Sequence, residues 1–88
     1  MKLYFTNDSK QKKTLIESDF IEDIFDEMMA FFDANRIWPH FLEPAYDEGS
    51  IKISFGSTSE YFVVLDVTEI DLEELKEFIE NSDEFNLI

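Results

Sequence analysis

The chain has no cysteine, two glycines (Gly49 and Gly56), two prolines (Pro39 and Pro44) and one histidine, His40, in 88 residues. The lack of cysteine excludes disulfides, thiol nucleophiles and thiolate metal sites, and it fits a reducing compartment. Two glycines cannot build a phosphate-cradling loop. His40 stands between Pro39 and Phe41, with no glycine-framed serine to activate, so it reads as a surface or partly packed histidine. Chemistry with paired carboxylates needs two acids across a cleft, and a domain this small offers little depth for one. The acidic turn Asp47-Glu48-Gly49-Ser50 lacks the spaced oxygen ligands and distal glutamate of a calcium loop. No catalytic residue, metal ligand or cofactor is assigned. The expectation is a protein that is not an enzyme.

Positive charge is scarce too. Seven basic residues face 21 acidic ones, for a net charge of -14 and a pI near 4.1. Nucleic acids and anionic membranes repel such a chain, so direct binding to either is disfavoured and a basic protein partner is favoured. Solubility alone is the competing explanation of the charge. No run approaches the roughly 20 apolar residues that span a bilayer, and the start has no apolar leader, so a cytoplasmic location is expected.

Hydrophobic residues are plentiful, at 44% with ten phenylalanines, which supports a packed core over disorder. A single domain over residues 1–88 is expected, one that buries only about 60% of its unfolded surface. Its centre reads as the hairpin Ser50–Val67, SIKISFGSTSEYFVVLDV, turning at Gly56-Ser57-Thr58-Ser59. Alternation places Ile51, Ile53 and Phe55 on a core face with Tyr61, Val63, Leu65 and Val67. Lys52, Ser54, Phe62 and Val64 then fall on the opposite face.

Met1–Phe5 reads as a strand with Leu3 and Phe5 inward and Tyr4 outward. Asp8 with Gln11 has capping-box spacing, predicting a helix start that carries Lys10, Lys12 and Lys13. Asp19–Asn35 has the strongest helical period, through Phe20, Ile24, Met28 and Phe31, with Asp19 and Glu22 as its cap. One helix from Ser9, or two with a break near Ser18, both fit. Residues 36–49 lose the pattern and read as a connection, with at most a short edge strand around Phe41. The last helix is predicted from Asp71 as N-cap with Glu74, stapled by Ile70 and Leu75, to about Asn81-Ser82. The tail from Phe85 to Ile88 is expected to dock. The fold class that follows is α+β, a three-stranded, mostly antiparallel sheet with two helices, or three if the first is broken, packed on one face.

Two surfaces stand out. Asp19, Asp23 and Asp26 on the first long helix, and Glu73, Glu77 and Glu80 on the last, form acidic stripes. Like charges at i,i+4 cost a helix about 0.2–0.5 kcal/mol per pair, so the stripes do not serve helix stability. Four helical residues advance about 6 Å, a scale comparable to phosphate spacing along a strand, so such rows can stand in for nucleic acid in a basic groove. The second surface is apolar. Tyr4, Phe62, Val64 and Trp38 are expected to form an interface, for a partner or a homodimer, unless the 38–46 connection or the tail covers it.

The stretches KLYFT at the start and ISFGSTSEYF in the hairpin resemble short, acidic, uncharacterised proteins encoded by phages and prophages of Gram-positive bacteria. That resemblance implies a mobile-element origin. Proteins of this kind include inhibitors of host defence or of DNA-processing enzymes, some of them nucleic-acid mimics, although no functional residue carries over from it. Three readings remain open: an inhibitor of a basic nucleic-acid-handling protein, an assembly protein that self-associates through an aromatic sheet face, and an immunity-type protein that neutralises a basic toxin.

Overall fold

A computed structural model describes the whole chain, Met1–Ile88. The order is β1 (Lys2–Asn7), β2 (Lys13–Glu17), α1 (Ile21–Ala34), β3 (Phe41–Asp47), β4 (Ser50–Ser54), β5 (Glu60–Leu65), α2 (Glu69–Asn81) and β6 (Asn86–Leu87). The six strands form one sheet in the order β2-β1-β5-β4-β3-β6. All neighbours are antiparallel except β3 and β6, which run parallel. The α+β class and the two helices agree with expectation. The three-stranded, mostly antiparallel sheet does not, because the sheet has six strands and is mixed.

Two of the additional strands come from stretches with a disguised period. Lys13–Glu17 was expected to be helical, yet it pairs with β1 as a hairpin. Its register shifts between Leu3 and Tyr4, leaving Leu15 as the extra residue of a bulge. Leu15 and Ile16, adjacent in sequence, can therefore both pack against the core. Asp8 and Gln11 form no capping box. The Asn7 side chain instead accepts from the backbone N–H groups of Ser9 (3.0 Å) and Gln11 (3.3 Å) and shapes the turn.

Phe41–Asp47 is a full strand despite Pro44. Leu42 is buried, and its backbone C=O, on the side away from β4, accepts from Ile88 N–H at 3.0 Å; the backbone of Pro44, two residues on, faces the same way. Since β6 pairs only with Phe41 and Leu42, no strand pairs with buried Pro44 on that side, and its missing donor breaks no ladder bond. The turn from β3 to β4 is two residues, Glu48 (φ 42°) and Gly49 (φ 81°), the positive pair that matches strand twist. At Gly56 (φ 93°) a Cβ would lie 3.4 Å from the Phe41 ring.

Helix α1 buries Ile21, Ile24, Met28 and Phe32 at helical spacing. It begins later than its predicted cap. Phe20 is the N-cap without a side-chain bond, while the Ser18 hydroxyl accepts from Phe20 N–H (3.1 Å) and donates to Asp23 (2.6 Å). Its C-terminus closes with Ile37 N–H on Phe32 C=O (2.9 Å) and Arg36 N–H on Asp33 C=O (3.3 Å), with Arg36 at φ 54°. Helix α2 has its capping box one turn earlier than predicted: Thr68 is the N-cap and Asp71 the third residue, each bonded to the other's backbone. Ile70, expected as a staple, is 78% exposed, and the staple positions fall to buried Val67 and half-buried Leu72.

The second strand of the hairpin, β5, turns inward the face expected to point out. Ile51 pairs with Val64 and Ile53 with Phe62, so these four share the face that the helices cover. Phe62 and Val64 are fully buried and cannot be the interface residues expected of them. Tyr61, Val63 and Leu65 take the open face, beside Tyr4 and Thr6. Phe62 is the hub of the core, its ring centroid 5.3–5.6 Å from those of Phe5, Phe31, Phe32 and Phe55. No buried side-chain polar atom lacks a hydrogen-bond partner.

Candidate functional site

Both helices lie on one side of the sheet, in contact through Phe25 and Phe78, whose rings stack at 5.7 Å. Because their inward faces are apolar, their charges point out. Fourteen of the 21 acidic residues lie in 19–34 and 69–84, where Lys76 is the only base. Asp19, Asp23, Asp26, Glu73, Glu77 and Glu80 are all exposed. Asp23, Asp26 and Asp33 follow one stripe of α1 over about 15 Å, and Glu73, Glu77 and Glu80 one stripe of α2 over about 10 Å. Asp19 precedes the N-cap of α1 and lies outside the helix.

Little within the protein neutralises this layer. The single ion pair is Lys76–Glu73 at 3.7 Å. Neither helix has a base in its last turn, and Asp33 and Glu80 stand there instead, against the helix dipole. The carboxylates are therefore free to meet cations from outside. No three histidine or carboxylate side chains converge on a point where a metal ion would fit.

Trp38 belongs to this side of the molecule. It is 74% exposed and borders a groove of about 380 Å³ with Met29, Phe32, Ile37 and Phe85, between Asp33 and Glu84. The expected grouping of Trp38 with Tyr4 does not form, since Tyr4 lies on the open sheet face. An aromatic anchor inside a charged rim is what a protein interface needs. Sequence reading singled out Trp38 but missed the groove, because Phe85 reaches it only through the docking of the tail.

Compared with known protein families, curated proteins and solved structures, the chain finds no match. The physical character of its surfaces is what bears on its role. No helix is long and apolar enough to cross a membrane.

The opposite side of the sheet has a different character. Neither the tail nor the 38–46 stretch covers it, since each joins the sheet as a strand. Tyr4, Thr6, Tyr61, Val63 and Leu65 line a concavity of about 220 Å³ there, beneath Lys10 and Lys12 of the β1–β2 turn. Lysine ammonium groups cap the tyrosine rings: Lys12 stands 5.3 Å and Lys2 5.8 Å from Tyr4, and Lys52 4.3 Å from Tyr61.

Proposed function

We propose that the protein is a non-enzymatic interaction module that binds a basic, nucleic-acid-handling protein through the acidic faces of α1 and α2, as a phage-type inhibitor would. The reading rests on one observation: fourteen carboxylates are carried on or beside two adjacent helices with one internal ion pair. The repulsion within such a layer is offset where an external partner supplies the cations, and rows of carboxylates can occupy a groove shaped for phosphates. Asp23, Asp26, Glu73, Glu77 and Glu80 supply the charge, Asp19 extends it, and Trp38 with its groove supplies an apolar anchor. Association would be fast, steered by the field, and would weaken steeply with salt.

The test is affinity capture from a Gram-positive bacterial lysate at low salt, eluted on a salt gradient, with the Asp23→Asn, Asp26→Asn, Glu73→Gln, Glu77→Gln, Glu80→Gln variant in parallel. One basic nucleic-acid-handling protein, released at moderate salt from the native chain and not retained by the variant, is the expected result. Equal retention by both overturns the reading.

A further inference from the structure

The open face is the one broad surface of the molecule where charges of both signs balance. Lys2, Lys10, Lys12 and Lys52 stand on or over it, more than half of the seven basic residues. Against them the face carries Glu17, Glu43 and Asp47. Two copies at -14 each repel through their helix layers. Through this face they do not.

The pairings fix which residues share a row across the sheet. Lys2 is level with Leu65, Ser50 and Asp47, and Tyr4 is level with Val63, Lys52 and Ala45. Basic and bulky side chains thus sit at the β1 end of each row, with acidic and small ones at the β3 end. We infer that a second copy of this chain docks face to face on the open sheet, about a two-fold axis parallel to the strands between β5 and β4. That operation lays β1 of each copy over β3 of the other. Lys2 then meets Asp47 of the second copy and Tyr4 meets Ala45, each contact occurring twice. Val63 meets the aliphatic stem of Lys52.

Aligned sheets pack about 10 Å apart at about 30°, a rotation that shifts the outer rows by a few ångströms, within the reach of a lysine. The alternative two-fold, perpendicular to the strands, lays β1 over β1 and β3 over β3. It puts Lys52 near Lys52 and carboxylates near carboxylates, and is disfavoured. With six strands about 4.8 Å apart and about five residues of about 3.4 Å along each, the patch is roughly 24 by 17 Å, about 400 Å², half the about 800 Å² per partner of a standard interface. The dimer is therefore expected to dissociate on dilution. It leaves both helix layers outward, so it stands or falls independently of the basic-partner reading.

The test is sedimentation equilibrium of the full chain from about 10 μM to about 1 mM, a range in which mass action makes a weak dimer visible. Native protein is expected to approach twice its monomer mass. Lys2→Glu and Asp47→Lys should each weaken self-association at least about tenfold, and the double variant should restore it. Within one copy these residues are three strands apart, about 14 Å, beyond the screening length of about 8 Å at physiological salt, so restoration reports contact between copies. Circular dichroism of each variant separates lost association from lost fold. A monomer at every concentration, native-like dimerisation of both single variants, failure of the folded double variant to recover, or growth past the dimer would each overturn the inference.

Discussion

The ring of Phe62 meets that of Phe32 edge to face, centroids 5.3 Å apart and planes at 87°, tying the central strand β5 to helix α1. Phe62 also touches three other phenylalanines, so Phe62→Ala leaves a cavity that several elements cannot jointly fill. The expected loss is about 3–5 kcal/mol, a large share of the roughly 5–15 kcal/mol that holds a typical domain together. Urea titration checks it, and a loss under about 1 kcal/mol would contradict a core role. Phe62→Glu, which a surface position would accept, is expected to prevent folding.

Arg36 holds the left-handed position that ends α1, where residues with a Cβ are strained. Arg36→Gly should raise stability by about 0.5–1 kcal/mol despite the greater freedom of glycine in the unfolded chain. Glu48→Asn in the β3–β4 turn should act in the same direction, because asparagine tolerates both the turn and positive φ. Thermal melts of the two variants, with no upward shift in either, would refute the backbone assignment.

Thr68→Ala removes the hydroxyl that accepts from Asp71 N–H and should cost about 1 kcal/mol. Ile70→Ala should change stability by less than about 0.5 kcal/mol, since that side chain is 78% exposed. The contrast distinguishes a helix that starts at Glu69 from one that starts after Asp71.

With one ion pair and a charge of -14, electrostatics within the fold is dominated by repulsion. Salt screens repulsion, so the melting temperature should climb as sodium chloride rises from about 10 mM to about 300 mM. A falling melting temperature would mean that attractive pairs outweigh the repulsion.

The helices were legible because their apolar residues recur at an unbroken 3.6-residue period, and the exposure of the five stripe carboxylates within them followed from that period, while Asp19 lies before the helix. β1 was legible for the same kind of reason, with a clean alternation through Leu3, Tyr4 and Phe5. The face of β5 was not, because EYFVVL is apolar in both phases and only pairing with Ile51 and Ile53 decides which phase turns inward. β2 hid behind its bulge, which replaces alternation with an adjacent Leu15-Ile16 pair that mimics a helix. β3 hid behind Pro44, whose tolerance depends on the sheet ending beside it. The composition of the open face was lost with the phase of β5, and the place of Lys10 and Lys12 over it was lost with the supposed helix.

Along the outer side of β3, beyond the two residues that β6 pairs, a foreign strand arriving in search of hydrogen bonds finds no N–H at buried Pro44 where it needs a donor. The far rim of the sheet is the short, bulged β2, with Lys13 and Glu17 at its ends. Both rims thus refuse the runaway stacking that leads a β-rich chain toward amyloid. A concentrated solution of this protein is expected to remain clear and to leave thioflavin dark, while the broad face of the sheet stays open to orderly contact.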